Sequence, residues 1–578
     1  MKRLYLTLIL LASLLSSVAV AAERRVVVIF VQFQDLSFTG GRSEFKSFTD
    51  SLSLYFTDQF FGKTSFRFDA GPVITLSRNY AYYGSNSPDS YDALMYRGVE
   101  EACKAAADSI DFSLYSNGSL STVKDVLIMV PGMPESESGV RDMFWPQYVS
   151  LTDKGSGLYV SGRRITEYGL ACELGPDGRF AGIGSMAHEY CHILGLSDMY
   201  DTDGEGSGGR ARALWGVTSI MDEGYRNAGG HVPPSFNAAD YYTLGEGRGE
   251  VMDKPGYYTL RPISEEGHYY IFKGGNEGEV FLVENRWNAG WDSYIGGYGM
   301  LIYHWDKSAG DALWSDFFSS SISALKRWEH NEVNCNPAHQ CVELVAPDDN
   351  LAFFPTATST DFSSETTPAF RFWNGESAAL AFTDITRNAD LSVSFTLIKP
   401  LSIYSCTPFQ NSFIMHWTCD ERIDMLVDSC LVNCYAGEEI VAGIKGSRLE
   451  EGGWGCNLGG LSPNTEYRLE VQVYRRGSII FSGETSAVTL SSRKGISPFI
   501  YLKDGPRNAD GSFPRGARIP LQVFNSTGAQ SIRWFFDKQN ITAGRDGLFT
   551  LDRSGTLRAE VYWEDGSHDI FIKEVTVK

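Results

Sequence analysis

His188, Glu189 and His192 stand in the order H-E-x-x-H inside a compact apolar stretch, AGIGSMAHEYCHILGLSDMYDTD, from Ala181 to Asp203. Residues four apart on a helix lie one turn apart on the same face, so both imidazoles can reach a single cation. Glu189 follows the first histidine and can hydrogen-bond a water without filling a ligand position. Two histidine ligands and one general base are the chemistry of a zinc hydrolase. With 9 His and 71 acidic residues in 578, chance produces the pattern only about 0.02 times per chain. Gly195 ends the helix, and the turn beyond it brings Asp198 round as a candidate third ligand.

Other residues near this stretch can also do chemistry. Asp201 and Asp203 follow Asp198 and precede a glycine. Closely spaced carboxylates in a loop are candidate calcium ligands, and otherwise form a solvated acidic turn. The segment LWGVTSIMDEG, residues 214–224, places Met221 in a tight turn suited to lie beneath the metal. His304 and Asp306 with Glu284 make either a second metal site or a hydrogen-bonded polar cluster. Met143-Phe144-Trp145-Pro146 reads as a core plug, with a groove wall as the alternative. Among ten cysteines, Cys335 and Cys341 are close in sequence and loop-like in context, which makes them the candidate disulfide. Five fall between 406 and 456, so at least one of those is free or pairs elsewhere. None shows C-x-x-C spacing.

The elements that must position these groups follow from periodicity. Arg25–Phe33 (RVVVIFVQF) is an unbroken β-branched and aromatic run, hence a buried strand. Residues 43–61 and 91–110 have helical apolar spacing; 66–76 and 123–131 read as strands, and 159–170 as a strand pair. Strands alternating with helices before the H-E-x-x-H helix predict an α/β (α+β) catalytic half. From 257 to 397 alternation takes over, as in EVFLVENRW and GMLIYHWD, and the helices thin out. Short, regularly spaced strands then predict two β-sandwiches, over 401–490 and 497–578, with no active-site constellation of their own.

Composition narrows the class. Hydrophobic residues at 43% and aromatics at 13% suffice for large cores. A net charge of −21 disfavours nucleic acid and anionic membrane surfaces. Lys2 and Arg3, the apolar run Leu4–Leu15 and Ala19-Val20-Ala21 predict a cleaved secretory signal peptide over 1–21. The run is too short for a membrane span, no second run reaches that length, and no pro-segment long enough to block a cleft is expected before the first core strand. The product is expected to be exported: periplasmic, surface-held or released.

The extended motif H-E-x-x-H-x-x-G-x-x-D, the SIMD turn, YFTDQFFGKTSFRFDAGPV, FWPQY, VENRWNAGWD, GYGMLIYHWD and WEHNEVNCNPAHQ together resemble the immune inhibitor A family of secreted bacterial metallopeptidases, over roughly 25–398. Residues 401–490 resemble a fibronectin type III module and 497–578 a bacterial immunoglobulin-like module. The resemblance implies a metzincin-like catalytic domain over 22–256 with a β-rich subdomain over 257–398. It implies one zinc on His188, His192 and Asp198, Glu189 as base and Met221 as the Met-turn residue. Ser197 departs from the family's proline, and the pro-segment of some relatives has no counterpart. The function expected is a secreted zinc endopeptidase acting on protein or peptide substrates, with Tyr225 as a candidate oxyanion stabiliser. The alternatives are a secreted adhesion or binding protein with a degenerate zinc domain, its C-terminal sandwiches contacting cell surfaces or glycans, and a zinc hydrolase of glycan-linked substrates.

Overall fold

The Val-Ile-Phe run near the start of the chain becomes β1 (Ala22–Gln32). Its side chains alternate between two cores. Val26, Val28 and Phe30 enter one, while Val27, Ile29 and Val31 enter the other. A strand buried on both faces must be apolar at every position, which is why β1 lacks polar alternation.

The computed structural model describes residues 22–88, 90–141, 143–152, 158–211, 216–310, 312–348, 352–450, 452–490, 498–502, 506–508, 510–524, 526, 529–544, 548–563 and 568–578. The signal-peptide segment 1–21 lies outside them, as do Leu214 and Trp215 at the start of the Met221 segment. The described chain is mostly β, in several sheets, with few helices. No described helix is long and apolar enough to cross a membrane. The chain divides into two compact units. The first comprises residues up to Met252, Thr259–Thr360 and Ile385–Ser394; the second comprises Asp253–Tyr258, Asp361–Asp384 and Phe395–Lys578.

In the first unit, β1 lies between β2 (Thr64–Thr75) and β3 (Val126–Val130), parallel to both. The sheet continues through β4 (Gln147–Ser150) and β5 (Glu167–Cys172) in the spatial order β2-β1-β3-β5-β4. β5 runs parallel to β3, and only the edge strand β4 is antiparallel. Helix α1 (Arg42–Gln59) contributes Phe45, Phe48, Leu52, Tyr55 and Phe56 to one core, the i, i+3, i+7 pattern of a single buried stripe. Helix α2 (Met95–Ala106) buries Met95, Val99, Ala102 and Cys103 in the other. Helix α3 (Gly184–Leu194) carries the H-E-x-x-H motif and shares the core of α1.

A second sheet in this unit pairs β6 (Glu279–Arg286) with β7 (Gly299–Asp306) antiparallel, flanked by His268–Lys273, Arg248–Val251 and Val342–Leu344. Register decides what meets here. Glu279 opposes Asp306 and Phe281 opposes His304 on one face, while Glu284 opposes Leu301 on the other.

Two four-stranded sheets of the second unit face one core. One contains Leu401–Pro408, β8 (Ser412–Cys419), Trp454–Gly459 and Ser447–Arg448. The other contains Glu439–Lys445, β9 (Ser429–Ala436), Glu466–Arg475 and Ser478–Val488. Phe413, Met415 and Trp417 alternate inward along β8 and meet Cys430, Val432 and Cys434 from β9 in one core. A separate core gathers Ile519, Trp534, Leu557, Ala559 and Val561 from the last strands.

Candidate metal centre

Two glycines frame α3. At Gly184 any Cβ would come within 1.8 Å of the Tyr225 carbonyl oxygen, so the helix start touches the segment after Met221 backbone to backbone. Gly195 adopts a φ of 112°, the left-handed conformation that lets its amide reach the Cys191 and His192 carbonyls and stop the helix. On its packed side, the Tyr190 hydroxyl donates to Asp125 at 2.7 Å. Asp125 also accepts from Arg24 at 2.8 Å, which ties α3 to β1. Cys191 is wholly buried, as its place inside the motif predicts.

The imidazoles are oriented by carbonyls from the two turns that flank them. Nδ1 of His188 lies 2.8 Å from the Ile220 oxygen, and Nδ1 of His192 lies 2.9 Å from the Leu196 oxygen. A neutral imidazole that donates Nδ1–H to a carbonyl presents a bare Nε2 on its other side. Both Nε2 atoms face Asp198 Oδ1, at 3.0 Å from His188 and 3.4 Å from His192. That oxygen is enclosed and accepts no hydrogen bond. Ligand atoms of His188, Glu189 and His192 also lie within 4.8 Å of one another. Lone pairs from two nitrogens and a carboxylate that converge in a buried site fit a cation such as zinc, and without one they are costly.

The electrostatics carry the same signature. Burial alone would lower the His188 pKa, yet Asp198 and Glu189 outweigh it and push it up to about 9. Burial would raise Asp198, but the two imidazoles hold its carboxyl well below the usual carboxylate range. Burial raises Glu189, which the neighbouring imidazoles and the Tyr148 amide only partly offset. A base on its way toward neutrality is suited to proton transfer.

Sequence reasoning named the candidate ligands but missed what holds Asp198. Asn331 accepts from the Asp198 amide at 2.8 Å and donates to Asp198 Oδ2 at 2.7 Å. Asn334 donates to the Met199 carbonyl at 2.9 Å, and the Met199 amide donates to Met221 at 2.9 Å. The WEHNEVNCNPAHQ stretch is thus the back wall of the third-ligand loop, a role that 133 residues of separation conceal. Met221 itself is wholly buried in the core beneath α3.

A cavity of about 340 Å³ opens over His188 and Glu189, walled by Trp145, Pro146, Tyr200, Asp222, Tyr225 and Arg226. Phe144 is the core plug that its motif suggests, whereas Trp145 and Pro146 are the groove wall. The Tyr225 hydroxyl accepts from Arg226 Nε at 2.7 Å, and its ring centroid lies 5.4 Å from that of His188. Tyr200, which the sequence did not single out, shares the cavity. Burial, then the Asp198 charge, raises the pKa of its hydroxyl. A neighbouring cavity of about 110 Å³ continues past Pro146 and Ser185 and is lined by Pro134, Leu174 and Ala181.

The structure adds detail to three sequence expectations. Asp201 is committed to its own loop: its carboxylate accepts from the amides of Asp203, Gly204 and Ala211 at 3.2, 2.9 and 2.8 Å. Asp203 Oδ2 accepts from Ser207, and the thiol of Cys335 completes this cluster. Asp203 Oδ1 is buried and accepts no hydrogen bond, so this loop keeps one carboxylate oxygen free. Cys335 and Cys341 are free thiols turned to different partners. The first lies 3.0 Å from Thr202 Oγ1, and the second donates to the Ala324 carbonyl at 3.9 Å. Glu284 is not with His304 and Asp306, because strand alternation points it through the opposite face. There it accepts from Tyr303 at 2.6 Å and from the Ala238 amide at 2.6 Å. His304 instead pairs with Glu279 at 2.8 Å, and Asp306 with His339 at 2.7 Å. This is a satisfied polar cluster.

No protein-family model matches the chain. It is 24% identical over 310 residues to Immune inhibitor A of Bacillus thuringiensis subsp. alesti, covering 42% of this chain and 45% of that protein. The chain therefore spans about half the length of that relative, and the identity supports a distant relationship. Among solved structures, the Ig1-2 module of the Drosophila receptor tyrosine phosphatase DLAR matches 31% of this chain and 99% of its own, at 12% identity and a TM-score of 0.13. Murine CEACAM1b covers 31% and 100% at 9% identity and a TM-score of 0.12. Superpositions that poor carry no argument about fold.

Proposed function

We propose that this chain is an exported zinc-dependent endopeptidase with a metzincin-like catalytic domain, and that the modules over 401–490 and 497–578 are non-catalytic β-sandwiches. The observation that carries this reading is the convergence of His188 Nε2, His192 Nε2 and the unpartnered Asp198 Oδ1 beside Glu189 at the floor of an open cavity. The partial similarity to Immune inhibitor A supports the same class.

His188, His192 and Asp198 hold the ion in this scheme. When bound, zinc acts as a Lewis acid that acidifies water and polarises a carbonyl oxygen. Glu189, whose pKa burial raises, takes a proton from the attacking water and returns it to the leaving amine. Tyr225 keeps its own proton free because its oxygen is the acceptor for Arg226, so its O–H can donate to the developing oxyanion. Tyr148, through its amide, fixes the Glu189 carboxylate. Trp145 and Pro146 bound the groove in which an extended peptide lies, and the smaller apolar cavity beside it admits one side chain next to the scissile bond. The acidic loop then has a mechanical role: Asp201 ties the chain that carries Asp198.

The deciding experiment compares wild type and Glu189→Gln on casein and on a peptide library, with and without a zinc chelator. Cleavage by wild type alone, abolished by the chelator, supports the reading. Near-wild-type cleavage by Glu189→Gln overturns it. A wild type that loads zinc but cleaves neither substrate favours the binding-protein alternative.

A further inference from the structure

Away from the metal centre, two cysteines of the second unit meet across the sandwich. Cys419 is the last residue of β8 and Cys430 the second residue of β9, so they belong to different sheets at the same end. Both are free thiols turned into the same core, where each thiol feels the other most strongly. Cys430 is wholly buried. The Trp417 ring packs beside it: a Cβ placed at Gly446 would lie 2.5 Å from that ring and 3.4 Å from Cys430 Cβ. The connection between the two cysteines is pinned along its length. The Asp420 amide donates to Pro400 at 3.0 Å, and the Asp428 amide to Tyr474 at 2.9 Å. Between them, Asp424 accepts from Trp454 Nε1 at 2.9 Å and from Arg448 at 2.7 Å. The fold therefore fixes the backbone on both sides of the pair and turns both thiols into one core.

We propose that Cys419 and Cys430 form a disulfide joining the two sheets once the chain is exported. It leaves Cys406, Cys434 and Cys456 as the reduced cysteines of that module. The oxidant is an external disulfide. One thiolate attacks it to give a mixed disulfide and release a thiol. The second thiolate then displaces the other half, so two protons and two electrons leave with two external thiols and one S–S bond forms. The proposal rests on export and is independent of the hydrolase reading.

Arg422 lies between the two cysteines, so trypsin places them on separate peptides. The full chain is collected after export, alkylated with iodoacetamide under denaturing conditions and mapped by mass spectrometry without reduction. The expected result is a linked Cys419–Cys430 peptide pair that separates on reduction. Alkylation of both residues, or linkage of either to another cysteine, overturns the proposal. In parallel, dithiothreitol lowers one melting transition of wild type by about 10 °C and leaves Cys419→Ser unchanged. Should that variant fail to fold, the peptide map of wild type decides alone.

Discussion

At the scale of single residues the centre separates holding from reacting. Glu189→Gln keeps size and hydrogen bonding but cannot accept a proton. Turnover is expected to fall by about 10²–10⁴-fold, with zinc content at wild-type stoichiometry by elemental analysis. Asp198→Ala is expected to lose the metal. Asn331→Ala leaves every ligand in place but frees both Asp198 Oδ2 and the Asp198 amide, which it clamps at 2.7 and 2.8 Å. A supporting contact of that kind is worth about 10–100-fold in metal affinity, measured by competition with a chromogenic chelator. Unchanged zinc affinity in Asn331→Ala would show that the loop holds Asp198 unaided.

At the scale of elements, what matters is how α3, the Met221 turn and the second sheet are fastened. Gly184→Ala cannot be accommodated without displacing the Tyr225 carbonyl, since the new Cβ would stand 1.8 Å from it. Lower melting temperature together with weaker zinc binding is the expected outcome, because the displaced segment includes the Ile220 carbonyl partner of His188. Below the turn, Arg286 is completely buried and bonds Asp292, Glu284, the Ser235 carbonyl and the Thr218 carbonyl. It nails the 218–235 segment to β6. Removing one partner of a buried pair strands the other charge, so Asp292→Ala is expected to cost about 3–5 kcal/mol by urea denaturation. A loss below 1 kcal/mol would mean that Arg286 finds another partner.

At the scale of the whole molecule, the buried His304–Glu279 and His339–Asp306 pairs set an acid limit. Burial holds His304 below its ordinary pKa in spite of Glu279. The unfolded chain therefore takes up this proton near pH 6.5, before the folded chain does. Stability is full above that pH and falls as pH drops toward the lower folded value. Asp306 acts with the same sign: burial would raise it, but His339 and the Ser308 amide hold it low. Its contribution is present above about pH 3.9 and is lost as pH falls through the folded value. Between pH 8 and 5 the urea midpoint of His304→Gln is expected to lose less than that of wild type. The division into two compact units adds a calorimetric expectation. Zinc chelation lowers the transition of the metal-bearing unit and leaves that of the sandwich unit where it was.

What the sequence by itself determined was local. Helical spacing put His188, Glu189 and His192 on one turn, Gly195 stopped the helix, and an unbroken apolar run made β1 a doubly buried strand. These follow from backbone geometry and burial within a few residues, and the same is true of the Phe413-Met415-Trp417 alternation. The rest needed contacts between distant segments. Asn331 and Asn334 are ordinary polar residues until the chain brings them behind Asp198 and Met199. Glu284 looked like a partner for His304 until strand register placed it on the other face. Cys335 and Cys341 looked paired because they are near in sequence, whereas Cys419 and Cys430 meet only because two sheets are stacked. The H-E-x-x-H helix supplies two candidate ligands; the tertiary structure decides where the candidate third, Asp198, points, because a carboxylate beyond a turn has no fixed direction until another segment bonds it.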